Sequence, residues 1–229
     1  MPLSNFTLAE ALDILQDHPN PLFVFCYVRI AGSAAANSGP ARFAISVIAH
    51  NNIKKRGVTE DCQGFQIRYV APAGVVFATE LEFPANYIAM KGMLALNSAA
   101  GPAGTCTVLP AVGGHDLAIT SQLTGCTFGI GSQTVGGACL VSHIQPTPQP
   151  SQINLGQSAS QIEKQQAMLL QTGALHTAQA GALQKTFEQG TGYDDSASVI
   201  GKRDANGIWH FFTQPTIRTQ QVFLDPVEL

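Results

Sequence analysis

Cys126 and His143 are the two side chains whose types and spacing could do covalent chemistry. They lie in the stretch TSQLTGCTFGIGSQTVGGACLVSHIQP, Thr120 to Pro146. A thiol attacks a carbonyl carbon as its thiolate, so it needs a base or a positive charge within reach. Gly125, directly before Cys126, permits a tight turn that lifts the thiol out of a packed environment. The N–H of Cys126 and a neighbouring loop N–H can then face a developing oxyanion. His143 follows seventeen residues later. Leu140, Val141 and Ile144 give its flanks strand character, and Gly136-Gly137 allows a bend before it. A strand from Cys126, a turn and a strand back would bring thiol and imidazole together. Thr120, six residues before Cys126 on a TSQL run that continues the same element, could hold the imidazole tautomer through its hydroxyl or its carbonyl. His115 and Asp116, in the Gly113-Gly114 loop, could line the cleft, or could belong to a plain surface turn. Core packing is the competing account of the Cys and the His.

The elements that must position these residues are read from periodicity and punctuation. Thr7-Leu8-Ala9-Glu10 has capping-box spacing, and Leu8, Leu12 and Leu15 share a face, which predicts a helix over Thr7 to Asp17. The cluster Pro19-Asn20-Pro21 is read as its stop. The runs PLFVFCYVRI, ARFAISVIAH, GFQIRYVA and GVVFATELEF are β-branched, aromatic and short, and read as strands. AGSAAANSGPA reads as an exposed loop, residues 86–99 as a short helix, and Thr147 to Gln152 as a connection. From Ser158 to Gln189 the spacing of Ile162, Leu169, His176, Leu183 and Phe187 is helical, with glutamines on the solvated side; Gly173 and Gly181 leave one helix, a kinked helix or two open. ASVIGKR and IWHFFTQ flank Asp204-Ala205-Asn206-Gly207, a hairpin signal, and a last strand falls near Gln221 to Leu224. Strands on both sides of helical segments without βαβ regularity predict an α+β protein: an α/β sandwich with a mainly antiparallel or mixed sheet core flanked by helices, residues 1–229 forming one catalytic domain.

Bulk properties narrow the partners. Apolar residues make up 45% of the chain and charged ones 12%, enough for a sizeable core and incompatible with global disorder. A net charge of -3 gives no reason to expect nucleic acid, and Lys54-Lys55-Arg56 reads as a solvated loop. No segment approaches a membrane span, and the first residues lack a basic region ahead of their apolar run, so no Sec signal is expected. Cys26, Cys62, Cys106, Cys126 and Cys139 are odd in number and form no CxxC pair, which argues against a disulfide framework and a zinc ribbon.

TxxLTGC followed by a glycine-rich segment and SHIxP resembles the glutamine deamidase toxins typified by cytotoxic necrotizing factor and Burkholderia lethal factor. Leu123-Thr124-Gly125-Cys126 matches their Leu-Ser-Gly-Cys signature with Thr in place of Ser. The resemblance covers roughly residues 115–146 and implies Cys126 as nucleophile, His143 as catalytic histidine and Thr120 as the threonine that completes the site. The bacterial chemoreceptor deamidases share this logic in broader form. The Cys-to-His connection is longer here than in lethal factor, which bears on the substrate loops. By resemblance the activity is conversion of a host-protein glutamine to glutamate without metal or organic cofactor. The implied partners are a Rho-type GTPase or a translation-initiation helicase. The implied location is the host cytosol, reached from the bacterial cytoplasm without a recognisable Sec signal.

Other chemistries use some of the same residues. A zinc site could combine His115, Cys126, Cys139 and His143, but their spacing fits no compact template, and Cys139 reads better as a small core hydrophobe. A cysteine protease would use the same pair, yet its local signatures are missing around Cys126. A transglutaminase or amidase would share the thioester. A non-catalytic β-rich binding module, in which Cys126 and His143 merely pack, is the alternative from another class.

Overall fold

The computed structural model describes residues 6–31, 37–48, 53–59, 61–93, 106–148, 161–179, 182–217 and 222–229. The first helix, α1 (Leu8–Asp17), starts as the sequence predicts. The Thr7 hydroxyl accepts from the Glu10 N–H while the Glu10 carboxylate accepts from the Thr7 N–H, so two otherwise unpaired donors at the helix start are satisfied. Ala11 and Leu15 are buried on its inner face.

The proline cluster does not end helical structure. A second helix, α2 (Pro19–Phe25), begins at Pro19 itself, because the first helical position needs no N–H and has the backbone angle proline imposes. Leu22 and Phe23 are completely buried. Half of the apolar run read as a strand therefore serves a helix face, and only Tyr27–Ala31 (β1) is extended.

The remaining elements are β2 (Gly39–Val47), β3 (Lys54–Lys55), β4 (Gly64–Val70), β5 (Leu81–Ile88), β6 (Met90–Met93), β7 (Thr107–Leu109) and β8 (Leu117–Thr120). They are followed by β9 (Thr127–Gly131), β10 (Cys139–Pro148), α3 (Gln161–Ala178), β11 (Leu183–Glu188), β12 (Ser196–Arg203), β13 (Trp209–Ile217), β14 (Val222–Phe223) and β15 (Val227–Glu228). The chain is thus mixed α+β and rich in strand. Among the described residues no helix is long and apolar enough to cross a membrane.

Several further sequence readings are corrected by the structure. The strand expected over GVVFATELEF starts only at Leu81, with Val75 and Phe77 exposed on the preceding turn. The helix expected over 86–99 is replaced by the end of β5 and by β6; residues 94–99 lie outside the described residues. The helical stretch ends at Ala178, and Leu183 and Phe187 belong to β11; their spacing of four suits a period of two as well as one of 3.6. The buried face of α3 includes Met168, Gln171, Thr172, Leu175 and His176, so Gln171 is not on a solvated side. Thr147 and Pro148 end β10, and the rest of the expected connection, 149–152, lies outside the described residues.

The strands form two sheets. The larger has the order β1-β4-β2-β5-β8-β12-β13-β14-β3, with β15 also on β13; the smaller has β11-β9-β10-β6, with β7 also on β10. Pairing is mostly antiparallel, with β1–β4, β5–β8, β10–β6 and β14–β3 parallel. Alternation sorts the side chains. Phe43, Phe65, Phe83, Tyr87, Ile119, Ile200 and Phe212 pack with α1 and α2 on one face of the large sheet. Ile88, Ala118, Ala197, Val199 and Phe211 on its other face meet Cys126, Phe128, Ile130 and Val141 of the small sheet and its entry turn. The outer face of the small sheet carries α3, with Ile144 against Met168 and Leu175.

The edge strand β1 is closed by side chains. Gln214 on β13 accepts the Val28 N–H through Oε1 at 2.8 Å and donates Nε2 to the carbonyls of Phe23 and Cys26, while Ser198 Oγ on β12 donates to the Val28 carbonyl. Gln214 is completely buried. Replacing it with Leu keeps the volume but leaves one N–H and two carbonyls unpaired, at about 1–3 kcal/mol for each buried group stranded. Gln214→Leu is expected to lower the unfolding free energy by several kcal/mol, read as a lower urea midpoint at an unchanged m-value; an unchanged midpoint would show that the seam contributes nothing.

Candidate active site

The hairpin expected from the sequence is present. β9 and β10 pair antiparallel, with His143 opposite Phe128 and Ile144 opposite Thr127. Cys126 immediately precedes β9, and alternation puts its side chain on the same face as Phe128 and His143, toward the large sheet. Diagonal neighbours in such a pair stand roughly 7 Å apart between Cβ atoms. Gly125 has φ +86°, the left-handed turn conformation that the sequence reading required of it.

Thr120 does not continue the element of Cys126. It ends β8 in the large sheet, and the chain crosses between the sheets over residues 121–126. Leu123 is anchored midway by two backbone hydrogen bonds to Ala197, at 2.8 and 3.1 Å. A second crossing lies alongside, because β5 ends in the large sheet at Ile88 and β6 starts in the small one at Met90, opposite His143.

These crossings bring Thr120 and His143 into contact. Thr120 Oγ1 lies 2.5 Å from His143 Nδ1 and donates to the Ile88 carbonyl at 2.9 Å. The hydroxyl has one proton, and the carbonyl can only accept. Nδ1 must therefore carry the ring proton and donate it to Thr120, which leaves a lone pair at Nε2. That atom is completely buried and has no hydrogen-bond partner among the described residues, the Cys126 thiol included. An unpaired buried acceptor costs about 1–3 kcal/mol.

Both reactive groups are in their neutral forms. Cys126 is 2% exposed, and burial pushes its thiol up to about 11, partly offset by a backbone hydrogen bond at Thr124. Burial likewise holds His143 down to about 3. The turn at Gly125 is made, but it does not lift the thiol out of the packed interior, because Leu123 and Ala197 tie the turn to the large sheet. Cys26, Cys106 and Cys139 are also raised by burial.

Tyr193 is a site residue that the sequence reading missed. Its phenol donates to the Cys126 carbonyl at 2.8 Å, and its ring packs 5.3 Å from Phe187. Burial, then the neighbouring Cys126, raise its pKa, while backbone hydrogen-bond groups of Cys126 and Gly125 pull the other way. The signal available in the sequence was an aromatic residue in the glycine turn QGTGYDD.

His115 and Asp116 are not brought to this site. They precede β8 at the end opposite Thr120, roughly four strand residues or 13 Å away, and line a surface depression with Gln16 and Lys202. Asp116 is paired there with Arg203, which also donates to the carbonyls of Pro110 and Gly113. The zinc alternative fails for the same reason: among the described residues no three His, Cys, Asp or Glu side chains converge as metal ligands. Cys139 is a buried member of the inter-sheet core. No protein-family model and no curated protein matches the chain.

A histidine whose folded pKa lies below its unfolded value of about 6.5 binds a proton more readily after unfolding. Its contribution to stability is complete above pH 6.5 and is lost as the pH falls toward 3. Between pH 7 and pH 5, His143 is expected to account for about 2 kcal/mol of lost stability. Urea unfolding at both pH values should show a smaller loss for His143→Gln than for the wild type. Equal losses would mean that His143 is not the group being titrated.

Proposed function

We propose that the chain is a protein-glutamine deamidase, a bacterial toxin or effector that converts a glutamine of a host protein to glutamate through a thioester on Cys126. The observation that carries this reading is the contact of the Thr120 hydroxyl with His143 Nδ1, which leaves Nε2 unpartnered among the described residues on the strand beside Cys126. We read the architecture around it as an α/β sandwich, with α1 and α2 outside one sheet and α3 outside the other, the whole chain serving as one catalytic domain.

The chemistry follows from these groups. His143 Nε2 takes the Sγ proton as Sγ attacks the side-chain amide carbon, and Thr120 stabilises the imidazolium through Nδ1–H. The amide oxygen becomes an oxyanion, for which the N–H of Cys126 and a neighbouring turn N–H are the available donors; one such donor is worth about 3 kcal/mol in other enzymes. The imidazolium returns the proton to the departing ammonia as the C–N bond breaks. Water, deprotonated by Nε2, then attacks the thioester, releasing glutamate and restoring the thiol. Burial keeps the resting thiol and imidazole neutral and opposes this transfer, so the step requires that substrate entry open the site and relieve that burial.

By the same resemblance the partner is a Rho-type GTPase or a translation-initiation helicase, met in the host cytosol after export from the bacterium. The burial of both side chains favours a second reading, a β-rich binding module in which Cys126 and His143 pack and do not react.

Mass spectrometry of eukaryotic lysate incubated with wild type, Cys126→Ser and His143→Ala separates the two. The deamidase reading expects a glutamine-to-glutamate mass shift on one protein, absent with Cys126→Ser and slowed about 10²- to 10⁴-fold with His143→Ala. No shift with the wild type would leave the binding module in its place.

A further inference from the structure

The short segment between β11 and β12 is folded over the candidate nucleophile. Its backbone closes on itself: Gly192 N–H and Tyr193 N–H both donate to the Glu188 carbonyl, and Gly190 N–H donates to the Tyr193 carbonyl. Gly190 has φ +94°, a conformation that glycine alone adopts without strain. Gln189 Nε2 donates to the Asp194 carbonyl and Thr191 Oγ1 to Glu188 Oε1, so the turn is held by its own residues. It reaches the Cys126 turn through Tyr193, whose phenol donates to the Cys126 carbonyl. The ring is 3% exposed and belongs, with Phe187 and Cys126, to the inter-sheet core. A turn that carries its own hydrogen bonds can move as a unit, and a single side-chain hydrogen bond is within the range that local opening breaks.

We propose that Tyr193 is a positioning residue for Cys126, a latch that holds the Gly125-Cys126 turn closed and must release before the thiol meets a substrate. Two consequences follow from the geometry. With the phenol bonded to the Cys126 carbonyl, the peptide plane after the nucleophile is held in one orientation, which aims the neighbouring N–H groups. The ring is packed in the same buried cluster as Cys126 and Phe187, so its loss loosens the packing around the thiol. Loss of the ring with its hydroxyl removes both effects, whereas loss of the hydroxyl alone weakens the latch and keeps the packing against Phe187. The proposal deepens the deamidase reading by naming what controls its nucleophile, but access to a thiol can be measured without any substrate.

The test is the native full chain treated with iodoacetamide at pH 8, with occupancy at each of the five cysteines read by mass spectrometry for the wild type, Tyr193→Phe and Tyr193→Ala. One lost hydrogen bond shifts an opening equilibrium by up to about tenfold. Tyr193→Phe is therefore expected to raise the alkylation rate of Cys126 by about three- to tenfold, and Tyr193→Ala by more, with Cys26, Cys62, Cys106 and Cys139 unchanged. An unchanged Cys126 rate in both variants overturns the latch. A rise at all five cysteines together overturns it as well, since it would mean that Tyr193 stabilises the fold without governing this thiol in particular. Neither result bears on the lysate assay, so failure of the latch and failure of the deamidase reading are told apart.

Discussion

The arrangement depends on one buried chain of hydrogen bonds, from His143 Nδ1 through the Thr120 hydroxyl to the Ile88 carbonyl. His143 stands on a strand of the small sheet, while Thr120 and Ile88 end adjacent parallel strands of the large one. The bond therefore joins the sheets at the place where the chain twice passes between them. Apolar packing from Phe128, Ile130 and Val141 against Val199 and Phe211 supplies the area that holds the sheets together, but area is non-directional. The Thr–His contact adds direction: it sets the depth of the imidazole, its tautomer and which nitrogen is left over.

That leftover nitrogen connects the fold to the proposed chemistry. A satisfied core histidine would spend both nitrogens on partners, as the backbone groups of Val28 are spent on Gln214 and Ser198. His143 spends one. Buried His176 likewise spends only Nε2, on Ser142, so it is the position beside Cys126 that links the unspent nitrogen of His143 to the proposed proton transfer. Burial alone gives both the raised thiol and the lowered imidazole, so the closed state is neutral and unreactive. A deamidase built on these residues would rely on opening at the Cys126 turn, which is held by Leu123 on Ala197 and Gln122 on Ser196, both of β12, and by Tyr193 on the Cys126 carbonyl.

Much of the site was legible because it is local. Gly125 before a Cys demanded a turn, and the run from Thr127 to Ile144 demanded a hairpin by alternation and by its glycine bend. The cap of α1 and the Asp204–Gly207 turn were legible for the same reason, since each is decided within a few residues. The errors share a cause too. The first helix does stop at Asp17, ahead of Pro19, but Pro21 to Phe25 read as strand because the run is apolar and aromatic, although Pro19 also suits the first turn of a new helix; Leu183 and Phe187 read as helix because a spacing of four serves both periods. Gln171 read as solvated because composition does not show which face meets a sheet.

The sequence by itself determined the turn at Gly125 before the Cys126 thiol and the strand that returns the His143 imidazole, because backbone sterics and side-chain alternation act over neighbouring residues. Only the tertiary structure decided that Thr120 reaches His143 from the other sheet, that His115 and Asp116 lie at the far end of β8, and that the Tyr193 phenol reaches the Cys126 carbonyl. Those outcomes depend on which strand ends meet when two sheets pack, and contacts between residues tens of positions apart are set by burial and register that no local pattern encodes.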